Sequence, residues 1–161
     1  MNSITREEFA KIIKVSRIKP RLKRDLRFAP EEIKDWQSRD FLAVMNRSKS
    51  EGVLIVQYSE ITAYPFKLER RVANSTGRTE AIICDICATW QRGSNSAAMI
   101  FTKEKSSTTY LVCRDLECSL HVRDKTPQAI LSRTQLREDI EPSGRLERLH
   151  ARLFAILDAV I

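Results

Sequence analysis

The chain has 161 residues and a mass of 18.6 kDa, enough for one domain or for a small domain with an appended module. Its 42% hydrophobic content, with only four Gly and five Pro, excludes disordered and fibrous classes. A formal charge of +7 favours acidic partners such as RNA, ribosomes or acidic proteins, and selects no fold by itself.

The opening stretch MNSITREEFAKIIK carries Arg6, Glu7 and Glu8 where a secretory signal would be apolar, and the longest apolar runs, such as 53–56, are too short for a bilayer. A cytoplasmic protein is expected, in a compartment where clustered cysteines bind metal more often than they form disulfides. Thr5 and Glu8 form a capping box, followed at helical spacing by Phe9, Ile12, Ile13 and Ser16. Pro20 interrupts this helix. Pro30 is read as the first residue of a second one, with Ile33, Trp36 and Phe41 on its apolar face.

The texture changes at Gly52. VLIVQY (53–58) and AYPFKLERRV (63–72) read as strands, ANSTGR (73–78) as a turn, and TEAII (79–83) as a strand running into Cys84. AAMIFT (97–102) and TTYLV (108–112) form a hairpin around KEKSS and deliver the chain to Cys113, after which a short helix is expected beyond Asp115. Thr126 and Pro127 open another helix, EPSGR breaks it, and the last stretch places Leu146, Leu149, Leu153, Ile156 or Leu157, and Val160 on one stripe. That stripe is either core or a dimer seam. The fold class is therefore α+β: a small antiparallel sheet with a cysteine-bearing module, flanked by N- and C-terminal helices. The segments divide as 1–50 (helical), 51–126 (strands and cysteine module) and 127–161 (helical).

All four cysteines lie in two short motifs, Cys84 and Cys87 in a C-x-x-C and Cys113 and Cys118 in a C-x-x-x-x-C. Zinc takes four thiolates at tetrahedral corners, and two cysteines separated by two residues supply one edge from a tight knuckle. The second pair sits at a helix start, where free N–H groups and the helix dipole favour thiolate charge. Knuckle, hairpin, then ligands at a helix N-terminus is the layout of a treble-clef zinc finger. The competing readings are weaker. A thioredoxin-type dithiol needs a helix directly after the motif. A catalytic zinc needs an open coordination position, and neither His121 nor His150 supplies an H-x-E. His121, three residues after Cys118, is a candidate competing ligand or a packing histidine. One structural Zn2+ per chain is expected, with residues 84–126 unfolding on its removal.

CDICATWQRG, a hairpin ending TYLVC, and CRDLECSLHVR together resemble the C-terminal treble-clef zinc finger of the FBP family, which includes the FusB-type fusidic acid resistance proteins. The resemblance covers about residues 50–125 and implies a non-enzymatic protein that binds elongation factor G and promotes its release from the ribosome, with no membrane and no small-molecule substrate. It carries the metal role to Cys84, Cys87, Cys113 and Cys118, and points by region to the knuckle exit and the hairpin tip. Only about 50 residues precede the strands, fewer than the helical bundle of the resistance proteins, so factor binding without resistance is also consistent with it.

Trp90 and Arg92 at the knuckle exit are candidate partner contacts, with Trp90 packing over the zinc site as the alternative. Lys103, Lys105 and Tyr110 at the hairpin are further candidates. In SRIKPRLKRDLR (16–27), Arg17, Lys19, Arg21, Lys23, Arg24 and Arg27 face only Asp25, a density suited to RNA phosphates or to a solvated helix edge. A zinc finger acting directly on RNA or DNA is the alternative function, but residues 84–126 hold six Lys/Arg against five Asp/Glu, a net of +1.

Overall fold

The computed structural model describes residues 1–57, 60–104 and 106–160, and divides into two compact units, Met1–Leu68 and Glu69–Ile161. In the first, helix α1 (Arg6–Val15) starts at the expected capping box: the Glu8 N–H donates to Thr5 Oγ1 at 3.2 Å and the Thr5 N–H to Glu8 Oε2 at 2.7 Å. Pro20 does not simply end a helix. It opens a second one, α2 (Pro20–Asp25), at the position where its missing N–H costs nothing.

The expected helix from Pro30 is absent. Two single 3-10 turns, Pro30–Glu32 and Trp36–Ser38, take its place, separated by Asp35 in the left-handed region. Phe41, read as helical, starts strand β1 (Phe41–Met45), which pairs antiparallel with β2 (Glu51–Gln57), itself paired with β3 (Ile61–Glu69). Pairing with β2 overrides the local i, i+3 pattern, so a strand lies inside the stretch read as purely helical.

Ile4, Ile13, Ile18 and Leu22 from the helical arm pack with Leu42, Val44, Val53, Ile55 and Ala63 of the strands, and Phe9 stacks on Phe28 at 4.3 Å. Gly52 lets β1 and β2 approach. A Cβ there would lie 2.6 Å from the Val44 carbonyl oxygen and 2.6 Å from Met45 Sδ. Gly52→Ala is expected to cost about 1–3 kcal/mol, because a backbone oxygen cannot swing aside; urea melts would show the loss.

The second unit begins with the expected turn, in which Asn74 Oδ1 accepts from the Thr76 and Arg78 N–H groups and Gly77 takes φ +77°. The strand expected over 79–83 shrinks to β4 (Ile82–Ile83), paired with β5 (Trp90–Gln91). Strands β6 (Ser96–Thr102) and β7 (Ser107–Cys113) form the expected hairpin. Three helices follow: α3 (Cys118–His121), α4 (Pro127–Leu136), capped by Thr126, and α5 (Pro142–Val160).

EPSGR is not wholly a break. The chain turns at Arg137, which has positive φ, and Pro142 already opens α5. The C-terminal stripe is core: Leu149, Leu153, Ile156 and Leu157 are buried within the chain, Leu146 and Val160 half-buried. Among the described residues no helix is long and apolar enough to cross a membrane.

Candidate metal centre

The knuckle forms because the chain reverses tightly after β4. The Cys84 N–H donates to the Thr89 carbonyl at 2.9 Å, and the Ala88 N–H returns to the Cys84 carbonyl at 2.9 Å with Ala88 at φ +57°. The second ligand loop repeats this device, with Leu116 at φ +58° and its N–H on the Cys113 carbonyl at 3.0 Å. Cys113 ends β7 and Cys118 is the first residue of α3, as the spacing predicts.

The four thiols are fully buried and their sulfurs all lie within 4.8 Å of one another, with Cys84–Cys118 at 3.7 Å and Cys87–Cys113 at 3.5 Å. A tetrahedron with Zn–S bonds of about 2.3 Å has sulfur–sulfur edges of about 3.8 Å. The cluster thus has the dimensions of a zinc cage, and none of the cysteines is in a disulfide. Burial pushes the Cys113 thiol well above its ordinary range. In Cys118, hydrogen bonding with the Cys113, Cys84 and Cys87 thiols, together with burial, acts in the same direction. Burial also opposes ionisation of Cys84, but hydrogen bonds from Cys113, Cys118 and Cys87 outweigh it and hold that thiol well below its ordinary range. Hydrogen bonds from its neighbours thus favour the Cys84 thiolate, and a divalent ion would replace the protons held at Cys113 and Cys118.

Around the cage runs a continuous hydrogen-bond chain that sequence reasoning missed. Thr89 Oγ1 lies 2.9 Å from Cys87 Sγ and accepts from Gln91 Nε2 at 2.7 Å. The Asn95 amide donates to Gln91 Oε1 at 2.7 Å and to Asp115 Oδ2 at 3.0 Å. His121 Nε2 meets Asp115 Oδ1 at 3.2 Å, and its Nδ1 lies 2.7 Å from Thr126 Oγ1, which also caps α4 through the Ala129 N–H. Because the Asp115 carboxylate can only accept, Nε2 carries a proton toward it, and in the neutral ring Thr126 donates to Nδ1.

Cys113, Asp115 and His121 do group closely. Both His121 ring nitrogens are nevertheless committed, so the histidine braces the second ligand loop and the fourth ligand remains a cysteine. Burial pulls the Asp115 carboxyl up, but hydrogen bonds from His121, the Glu117 N–H and Asn95 hold it below the usual carboxylate range. Thr89→Val keeps the shape, removes the hydroxyl on Cys87 and strands the fully buried Gln91 amide. It is expected to weaken zinc binding about 10–100-fold in chelator competition, with Thr89→Ser largely retaining it.

The knuckle exit has a definite orientation. Ile83 pairs directly with Trp90 across β4 and β5, so their side chains share one face, while Ile82 and Gln91 point inward and are buried. Ile83 is exposed and Trp90 half-buried. The tryptophan therefore lies on the outer face of this pair and is not sealed over the zinc. Its backbone is held by α4: the Trp90 N–H donates to Ser132 Oγ at 2.8 Å and its carbonyl accepts from Gln128 Nε2 at 3.1 Å. Gly93, at the end of the WQRG run, has no room for a side chain, since a Cβ would sit 2.8 Å from the Thr79 carbonyl oxygen.

Arg92 is exposed, and so is Leu111, whose N–H and carbonyl bond to the Asp85 carboxylate and N–H. Lys103 is exposed at the β6–β7 turn, and Tyr110, half-buried, sits edge-on to Phe101 at 6.2 Å. Lys105 lies outside the described residues. The hairpin tip and the knuckle exit are thus both surface features. Arg17, Lys19, Arg21 and Arg24 are exposed, and Lys23 is half-buried.

A knuckle at the end of one strand, a hairpin, and a ligand on the first residue of a helix define a treble-clef zinc finger. The chain belongs to the FBP C-terminal treble-clef zinc-finger family, whose model matches residues 19–160. No curated protein and no solved structure matches it. The family match takes in residues 19–68 of the first unit, all of it beyond α1 and the turn that follows, as well as the zinc module, well beyond the strands and finger on which the sequence resemblance rested.

Proposed function

We propose that this protein is a cytoplasmic, non-enzymatic factor that binds elongation factor G and acts on it mechanically, favouring its release from the ribosome. The observation that carries the reading is membership of the FBP zinc-finger family over residues 19–160, joined to a zinc cage whose four thiolates fill the coordination sphere. Fusidic acid resistance would follow if that release outpaces the drug. The surface best suited to the partner is the outer face of β4–β5, where Ile83, Trp90 and Arg92 combine an exposed apolar residue, an aromatic and a cation beside Leu111.

Capture of purified elongation factor G by the zinc-loaded protein, with and without nuclease, tests the reading. Capture that survives nuclease supports it, and binding that needs nucleic acid overturns it. Ile83→Asp, which changes an outward side chain, is expected to weaken capture at least about 10-fold while zinc content stays at one per chain. Unchanged capture by Ile83→Asp would move the contact elsewhere, with Lys103 and Tyr110 the next to be replaced.

A further inference from the structure

The charge of this protein is concentrated outside the unit that carries the cysteines. Residues 17–27 hold six Lys/Arg and one Asp, so 6 − 1 = 5 of the seven net charges fall in eleven residues. The remaining chain nets only +2.

The segment is held so that these charges face outward. Ile18 and Leu22 are buried and Leu26 is half-buried, an i, i+4, i+8 series that anchors the linker and α2 on the first unit's core. Arg17, Lys19, Arg21, Arg24 and Arg27 flank these anchors and are exposed. Local pairing neutralises little of the charge. Arg21 meets Asp25 at 3.8 Å between exposed groups, and Lys23 Nζ bonds to the Lys14 carbonyl. Arg17, Lys19, Arg24 and Arg27 have no acidic partner among the described residues.

Helix stability accounts for only part of the pattern. Lys23 and Arg24 suit the last turn of α2, but Arg17 and Lys19 precede its N-terminus and Arg21 lies in its first turn, where the dipole disfavours cations and no acidic residue stands. The series is also arginine-rich, and the guanidinium fork matches phosphate oxygens.

We propose that the outer face of residues 17–27 is a binding surface for the phosphodiester backbone of a nucleic acid, independent of the zinc module. It reads charge and not sequence, because the segment offers no exposed aromatic for base stacking. An anionic membrane fits less well. Val15 is the only large exposed hydrophobic of this unit among the described residues, too little for an apolar face that enters a bilayer surface.

The test uses the full-length zinc-loaded protein and fluorescence anisotropy on a fluorescent single-stranded RNA, an RNA hairpin and a DNA duplex, with phosphatidylserine vesicles alongside. Neutralisation of about five phosphates on a single strand predicts a log–log salt slope near −3 to −4, a loss of roughly 60–260-fold between 50 and 200 mM KCl. Arg17→Gln/Lys19→Gln/Arg24→Gln/Arg27→Gln should weaken binding at least about 10-fold and flatten the slope by about 3. Arg47→Gln/Lys49→Gln/Lys67→Gln/Arg70→Gln, exposed cations elsewhere, should stay within about 3-fold of the parent.

All eight positions are exposed, so melting curves should not move. The smaller Arg17→Gln/Lys19→Gln variant, which leaves α2 intact, should lose about half as much slope. Binding of either nucleic acid on these terms supports the proposal, and the preferred arm tells which one is the source. Equal losses in the two quadruple variants, no binding at 50 mM KCl, or binding to vesicles alone would overturn it. Capture of elongation factor G, measured after nuclease on the same variants, is expected to be unchanged, so the two readings fail separately.

Discussion

Removal of zinc is expected to unfold residues 84–126, while the first unit, whose hydrophobic core contains no cysteine, keeps its own packing. The size of the effect follows from the burial of the cage. Four fully buried sulfurs occupy the space between the knuckle, the end of β7 and the start of α3, and without an ion the partly ionised cluster holds these elements only through weak thiol hydrogen bonds. Structural zinc contributes about 10–16 kcal/mol of apparent binding free energy in comparable small modules, more than a domain of this size has in reserve.

Chelation should therefore split the thermal unfolding curve, and Cys87→Ser or Cys118→Ser should reproduce the split without chelator. An unchanged melting curve in chelator, or native mass spectrometry without one zinc per chain, would refute the structural role. Acid is expected to act in the same direction. Cys113 and Cys118 hold their protons more tightly than ordinary thiols when metal-free, so protons compete with zinc at neutral pH. Apparent affinity should rise with pH, by up to about 100-fold per unit for two released protons, and fall as pH drops. Zinc titrations at pH 6, 7 and 8 would measure the slope.

Arg145→Ala is expected to cost about 3–5 kcal/mol even at saturating zinc. Arg145 is only 2% exposed; its Nη2 pairs with Asp124 Oδ2 at 2.6 Å and its Nε donates to the Val122 carbonyl at 3.3 Å. This one side chain ties α5 to the turn after α3, where Asp124 takes φ +56°. Truncation leaves that carboxylate only a quarter exposed and without the guanidinium at 2.6 Å, with Arg133 still at 3.3 Å. A fall in Tm of about 6–20 °C is the corresponding readout for a chain of this length. In a double-mutant cycle with Asp124→Asn the two losses should be strongly non-additive. Additive losses would place the effect in packing and not in the ion pair.

Legibility differed by element for physical reasons. Helices α1 and α4 were readable because a cap is a contact over three residues: Thr5 with Glu8, and Thr126 with Ala129. Strand β1 was not, because Ile33, Trp36 and Phe41 fit a helical stripe locally and only pairing with Gly52–Val56 makes Phe41–Met45 extended. In α5 the apolar stripe was plain, yet nothing in the local pattern marks Arg145 as buried; its burial depends on a carboxylate 21 residues earlier, on a turn of positive φ. The hydrogen-bond chain from Thr89 to Thr126 joins residues from several loops and leaves no periodic trace.

What the amino-acid sequence determined by itself was the zinc chemistry: ligand type, ligand number and the class of module that presents them. Metal ligation is chemically typed and local within each pair, so two short cysteine motifs carry it. Only the tertiary structure decided that both His121 nitrogens are spent on bracing, that Trp90 shares the outer face with Ile83, and that an arginine is the pin between α3 and α5. Each of these depends on which distant group arrives within hydrogen-bond reach, a question settled by packing across the chain and not by neighbours along it.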